Sequence, residues 1–512
     1  MSGQILDVTR RVGVVVGRVL VYVLIWLGLV LLIAAAGIHF FWGEISVGQM
    51  LLNLVSVETD GGGGGIVWLG IIGVGVLPLL ITAGIALWQY YRRRKRRSTG
   101  QEPRRPWLRR TVAAVLVGAV VVGGTTAFAT TVGMADYIKA ANSKYNIGDY
   151  YVEPTVTGDK QKRNLVLIYL ESGEATLEDD QLFEKNAFLP LTNATQPGWQ
   201  SVENYQQYEG GGWTMAGLVS TQCGVPLKGV GSGESSDAGN LDDDGDTYLG
   251  GSICLGDVLA EHGYTNVFLG GANSSFAAKD VFLGTHGYSS VKGLDDWRAA
   301  GEPEENFRKD WGLSDERLMA HAKEEVDRLH AEAEQTGKPF NLSMLTLDTH
   351  EPVHVYNYCD VDTENNVTSV FACSMTQVAG FVDYMKQQGY LEDTAVVIMG
   401  DHLKHMSAGD AFHEQLDHHG NRTVFNRIWI PGRDASAPLR PGVDQLNMYP
   451  TILEAAGLTL KDREAGLGVS ALAPEVPAGS AQALEPEAYA ELLKSLSPQF
   501  YAQAWAGPGA VK

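Results

Sequence analysis

The 512-residue chain carries 60 acidic and 39 basic residues, for a formal net charge of -21, and 45% of it is hydrophobic. That length leaves room for more than one domain and a large core, and the acidic excess excludes free nucleic acid as a partner because like charges repel. Ten of the 39 basic residues lie between Arg92 and Arg110, so the rest of the chain is more acidic than the sum implies.

Three long apolar segments come first, at about 19–42, 66–90 and 111–132. Each exceeds the roughly 20 residues that a helix needs to cross a bilayer. A cleaved signal peptide fits the first poorly, since it is too long and two more follow. The Arg/Lys cluster between the second and third spans belongs in the cytoplasm by the positive-inside rule. The loop between the first and second lacks Lys and Arg and belongs outside. Residues 1–134 therefore read as a three-helix, multi-pass transmembrane domain, with everything after it extracytoplasmic. The four cysteines, Cys223, Cys254, Cys359 and Cys373, all fall in that exported part, without CxxC spacing. An even count there predicts two disulfides. Three connectivities are open, and pairing of sequence neighbours is expected.

Residues 135–163 are polar with interspersed aromatics (Tyr137, Tyr145, Tyr150, Tyr151) and read as a juxtamembrane linker. From Asn164 the pattern alternates strand-like and helix-like runs. NLVLIYL (164–170), TNVFLGG (265–271), FNLSMLTLD (340–348), TAVVIMGD (394–401) and RTVFNRIWIPG (422–432) are the expected strands, with helices notably over Asp315–Gln335 and Ser374–Gln388. Such alternation predicts an α/β domain over 164–472, with a mostly parallel sheet covered by helices on both faces. The stretch 229–251 reads as a loop, and its DDDGD lacks EF-hand spacing. The tail, 473–512, is expected to hold one helix around Pro486–Ser497.

The chemistry concentrates at strand ends. NLVLIYL closes abruptly on Glu171, where open α/β sheets place their ligands. Asp401-His402 follows TAVVIMG directly, and with Glu171 it offers two oxygens and a nitrogen. That set suits Mn²⁺ or Mg²⁺ with an oxygen substrate, or Zn²⁺. Thr214, in GGGWTMAGLVSTQCGVPL, opens a predicted helix, and a hydroxyl there lies beside free backbone N–H groups that favour an anion. By itself it reads equally as an N-cap; beside a metal it becomes a nucleophile. His350, in TLDTHEPVH, follows another buried strand and suits phosphate binding or proton transfer. Trp213 and His354 are further candidates for lining the substrate.

The segments NLVLIYLES, GGWTMAGLVSTQCGVPL, LDTHEP and MGDH, followed by DQLNMYPTILEAAGL (444–458), stand in the order found in the sulfatase-like branch of the alkaline phosphatase superfamily. Within it the chain most resembles the phosphoglycerol transferase I / lipoteichoic acid synthase family. The resemblance implies a sulfatase-like α/β/α sandwich and a metal site of Glu171, Thr214, Asp401 and His402, with Thr214 also the nucleophile and His350 on the substrate phosphate. It also implies phosphatidylglycerol as donor, an envelope glycan or lipoglycan as acceptor, and residence in the bacterial inner membrane. Where the synthase has a Trp and an Arg around its glycerol phosphate, residues 275–280 offer Lys279. Thr214-Met-Ala-Gly-Leu218 lacks the C/S-x-P-x-R motif of sulfatases proper, which disfavours sulfate ester hydrolysis. The alternatives are a phosphoethanolamine transferase, a lipid phosphodiesterase, or a non-catalytic surface protein.

Overall fold

The computed structural model describes residues 2–42, 68, 70–99, 106–228, 247–405, 412–417 and 419–507, and the DDDGD run lies outside them. The chain divides near Asp136 into two compact units.

The first unit holds helix α1 (Ser2–Trp42), helix α2 (Leu77–Thr99), entered through a π-helical turn over Ile71–Val76, and helix α3 (Pro106–Thr131). Their apolar stretches Val12–Phe40, Ile71–Arg96 and Arg110–Thr131 are each long enough to cross a membrane. Large apolar side chains such as Leu20, Leu80, Val115 and Val122 point outward, as lipid-facing positions do. Helices α1 and α3 approach backbone to backbone: a Cβ on Gly124 would come within 2.2 Å of the Gly28 carbonyl oxygen. Small residues at a crossing are how apolar helices gain contact when no hydrophobic drive separates them from lipid.

The second unit is built on a six-stranded sheet. Its strands are β1 (Asn164–Leu170), β2 (Thr265–Gly270), β3 (Ser290–Lys292), β4 (Phe340–Leu345), β5 (Thr394–Gly400) and β6 (Asn426–Trp429), in the order β3-β2-β4-β1-β5-β6. All neighbours run parallel except β6, which is antiparallel to β5. Strand β1 is central and wholly buried. Its pleat splits it between two cores: Leu165, Leu167 and Tyr169 enter one, Val166, Ile168 and Leu170 the other. This is why its sequence is continuously apolar rather than alternating. The first core is covered by helix α4 (Thr214–Cys223), helix α5 (Met448–Ala455) and the tail, and the second by two long helices, Asp315–Thr336 and Asn366–Gln388.

The structure departs from expectation in three places. Residues 135–163 are not only a linker, because Val156–Gly158 pairs with Thr459–Leu460 and Ile147 is fully buried. Strand β3 is too short to show a periodicity in sequence. The tail holds two helices, Pro486–Lys494 and Pro498–Ala504, and buries Leu492, Phe500 and Tyr501 in the first core. Its Ala- and Pro-rich composition conceals that docking. Both disulfides join sequence neighbours as expected, Cys223 with Cys254 and Cys359 with Cys373.

Helix α4 lies so close to the end of β5 that a Cβ on Gly217 would come within 2.1 Å of the Asp401 carbonyl oxygen. Gly217→Ala is therefore expected to lower stability by about 1–3 kcal/mol through overpacking, read as a lower urea midpoint at unchanged m-value.

Candidate active site

Parallel pairing brings strand C-termini to one edge. Leu170 stands opposite Gly400 in the β1–β5 register, so Glu171 and Asp401 leave the sheet side by side. Thr346 follows β4, and its Oγ1 accepts from the Glu171 N–H at 2.9 Å. Helix α4 starts above the same edge at Thr214, whose hydroxyl donates to Glu171 Oε2 at 3.3 Å.

The three strand-end groups converge. One ligand atom each from Glu171, Asp401 and His402 lies within 4.8 Å of the others, and all three residues are buried. His402 Nε2 is 3.6 Å from Glu171 Oε1 and 3.5 Å from Asp401 Oδ2. His402 Nδ1 is 2.7 Å from the Leu403 carbonyl oxygen. A carbonyl only accepts, so Nδ1 carries a proton; burial opposes a second proton on Nε2, but Asp401 and Glu171 outweigh it and raise the imidazole, and a metal would take the place of that proton. Asp401 Oδ1 accepts from the Ser172 and His402 N–H groups at 2.9 and 2.8 Å, whereas its Oδ2 is buried without any hydrogen-bond partner. A buried carboxylate oxygen without a hydrogen bond, beside a second buried carboxylate, is electrostatically unfavourable. A divalent cation resolves it, and with the Thr214 hydroxyl the donors fit one.

The charges tell the same story. Burial pushes the Glu171 carboxyl up, but His350, His402 and the Ser172 hydroxyl outweigh it and hold the group at about 2. Burial, and then the charge on Glu171, push Asp401 up to about 7. Two adjacent carboxylates out of water cannot both ionise freely.

Around this centre lie cationic and aromatic groups. Burial lowers the pKa of His350 against the pull of Glu171; its Nδ1 is 2.6 Å from the Glu351 carbonyl oxygen, so Nε2 is the nitrogen left to exchange a proton. The Trp311 ring lies 4.0 Å from its imidazole, centroid to centroid. Lys279 is buried at the start of a short helix, and burial lowers its ammonium to about 8 against the opposing pull of Glu171. Among the described residues no carboxylate lies within ion-pair distance of it. Its neighbours Ala277 and Ala278 are both left-handed, at φ 57° and 55°, conformations that non-glycine residues adopt at a cost of about 1–3 kcal/mol each and that cluster at functional sites. Trp213 directly precedes Thr214 and packs half-buried against the first core. His354 is exposed, edge-on to Tyr356 at 4.5 Å, and has no contact with the Glu171 group.

Several contributors escaped the sequence reading. His405 lies 5.1 Å from the His402 ring, centroid to centroid, and burial, then the His402 charge, lower it to about 3. Its spacing in DHLKH was the only signal. Lys404 pairs with Glu351 at 3.0 Å, tying the His402 loop to the His350 loop. Ser172, left-handed at φ 55°, donates to Glu171 Oε1 at 2.9 Å. A second convergence, Cys223, Cys254 and His286, is no metal site, because the disulfide uses both sulfurs and His286 is bonded to Asp257 and to the Tyr248 carbonyl.

A sulfatase family model matches residues 163–458. The chain belongs to the sulfatase family. Curated relatives include phosphoglycerol transferase I of Escherichia coli O139:H28 and of Shigella boydii serotype 18. Each is 34% identical over 262 residues, covering 50% of this chain and 32% of the relative. The match thus spans about a third of those proteins' length. Among solved structures, an alkaline phosphatase superfamily protein from Vibrio parahaemolyticus superposes with a TM-score of 0.49 at 19% identity, covering 68% of this chain and 78% of that one. Lipoteichoic acid synthase LtaP from Listeria monocytogenes gives 0.48 at 14%, covering 66% and 81%.

The ionisation of this sulfatase-family site generates a pH prediction. Metal binding must remove the protons of Asp401 and His402, both raised, so divalent-metal affinity is expected to rise at least about tenfold per pH unit up to about pH 7. Because Asp401 is raised, the metal-free fold loses stability as pH climbs from the ordinary carboxylate range towards 7, and bound metal cancels that loss. Glu171, held low, acts in the opposite sense but only below that window. Calorimetric titration across pH 5–8 checks both, and Asp401→Asn is expected to remove the pH dependence together with the binding.

Proposed function

We propose that this chain is a membrane-anchored transferase that moves glycerol phosphate from phosphatidylglycerol to an extracytoplasmic cell-envelope glycan, through a phosphothreonine intermediate. One observation carries the reading: the Thr214 hydroxyl, at a helix N-terminus, donates to Glu171 within the donor group that also includes Asp401 and His402. The curated relatives named as phosphoglycerol transferases support the choice of donor.

Glu171, Asp401, His402 and Thr214 would hold a divalent ion, with Mn²⁺ the first choice and Mg²⁺ or Zn²⁺ also compatible. When bound, it lowers the pKa of the threonine hydroxyl and offsets charge on the phosphoryl oxygens. Thr214 Oγ1, oriented by Glu171 Oε2, attacks phosphorus as its proton passes to the free Nε2 of His350. The bond to the diacylglycerol oxygen breaks, and that oxygen gains a proton from His350. The glycan hydroxyl then attacks the same phosphorus and gives its proton to His350 Nε2, and the Thr214–phosphorus bond breaks as Thr214 Oγ1 takes that proton back. Lys279 balances the phosphate charge from the side, and free N–H groups at the start of α4 face the same anion. Trp213 flanks the nucleophile, and His354 marks the outer edge of the substrate approach. The three apolar helices, with the N-terminus cytoplasmic and the catalytic unit outside, confine the site to the lipid surface and raise the effective concentration of donor.

The test uses the full chain in detergent with Mn²⁺ and a fluorescent phosphatidylglycerol. Labelled diacylglycerol and a glycerophosphate-mass adduct on Thr214 are expected. Thr214→Ala should lower turnover by about a thousandfold or more while leaving the melting temperature close to that of the parent. Lys279→Met should raise KM more than it lowers kcat. Cleavage of phosphatidylethanolamine instead would replace the donor, release of free glycerol phosphate would make water the acceptor, and an active Thr214→Ala would overturn the nucleophile.

A further inference from the structure

We infer that Arg308 is the positioning residue for His350. The inference rests on the reading that His350 serves the phosphoryl group, and it concerns residues outside the metal-ligand set.

The Arg308 side chain is fully buried. Its Nη1 donates to the carbonyls of Leu347, Asp348 and His350 at 3.2, 3.4 and 3.0 Å, and its Nη2 donates to the Pro352 carbonyl. Nε and Nη2 also grip the Asp310 carboxylate at 3.1 and 3.2 Å. One guanidinium therefore holds four of the six carbonyls of residues 347–352, the stretch that carries His350. Trp311 adds to the hold: its Nε1 donates to the Glu351 carbonyl at 2.9 Å while its ring lies against the imidazole. That same Glu351 carbonyl accepts from His350 Nδ1 at 2.6 Å. The direction of one peptide group thus sets both the tautomer and the orientation of the ring, and Arg308 and Trp311 set the direction of that peptide group.

Chemistry explains the choice of residue. Five N–H donors in a planar fork, with the two on Nη1 shared among three carbonyls, can serve four carbonyls and a bidentate carboxylate, whereas an ammonium has three donors and cannot. Asp310 offsets part of the guanidinium charge, and what remains acts on His350 in the same direction as burial. Arg308 has no hydrogen bond to Glu171, Thr214, Asp401 or His402, so its effect on the reaction passes through the His350 loop.

The test compares full-length Arg308→Lys and Arg308→Ala, each alone and combined with His350→Ala. Arg308→Lys is expected to lower kcat by up to about 100-fold, the scale of a misplaced group, with KM within about threefold and Mn²⁺ affinity unchanged. In the His350→Ala background the same change should cost nothing further, because a residue acting through His350 has nothing left to position. In ¹⁵N-histidine spectra, Arg308→Lys should broaden or shift the His350 Nδ1–H signal and leave His402 unmoved. Additive losses in the double variants overturn the inference, as does an unchanged His350 signal. If the parent protein cleaves no lipid, the functional reading fails, and the spectrum alone decides on Arg308. If Arg308→Ala does not fold, the lysine variant carries every arm.

Discussion

The chemistry of this protein depends on three parallel strands ending level with one another. Because β4, β1 and β5 are neighbours in register, the residues just past their ends share one small volume. Glu171 and Asp401 become adjacent not through any affinity for each other but because Leu170 and Gly400 are paired. The sheet thereby holds two carboxylates and an imidazole together inside a low-dielectric core, an arrangement that would disperse if the side chains were free to move. Hydrophobic burial on both faces of β1 supplies the stabilisation that keeps it assembled. The opposite displacements of the two carboxyl groups measure how tightly they are confined.

A second ring of charge supports this centre. Glu174, buried three residues beyond Glu171, is gripped by Arg422, whose Nε lies 2.8 Å away. Lys404 reaches from the His402 loop to Glu351, and Arg308 closes on Asp310 and the His350 loop. Each of these three cations is tied to a carboxylate or to backbone carbonyls, so none of the three competes for the central acids. Buried pairs of this kind add little net stability. Their value lies in geometry: each joins two loops that different strands deliver. The strained left-handed residues, Ser172, Ala277 and Ala278, fall in the same zone, as expected where a fold sacrifices local preference to aim a side chain.

Membership of the sulfatase family fixes the scaffold but not the reaction. What separates this site from sulfate ester chemistry is the residue at the start of α4. A threonine cannot become formylglycine, and its hydroxyl acts directly only where something draws off its proton. On the proposed reading, the donor group below it would meet that need, and Lys279 and His350 would face a phosphoryl group that carries negative charge throughout transfer.

Sequence alone determined the elements whose physics is local. The uniformly apolar runs of β1 and β5 declared buried parallel strands, and the acids ending them marked a candidate site only in combination, because a single strand-end carboxylate reads first as a solvated one. The three apolar helices were legible for the same reason: length and hydropathy suffice. Residues whose role depends on non-local contact were not legible. Arg308 and Trp311 look like ordinary loop residues until the fold brings the 347–352 stretch beside them, some 40 positions along the chain. The tail helix Pro498–Ala504 is short and weakly patterned, and only its docking into the first core gives Phe500 and Tyr501 a partner. His354, a candidate from its nearness to His350 in sequence, lies exposed and edge-on to Tyr356, a placement that sequence spacing does not encode. Spacing along a strand is set by backbone geometry and can be read directly, whereas which loops meet above the sheet is decided by packing that no single segment encodes.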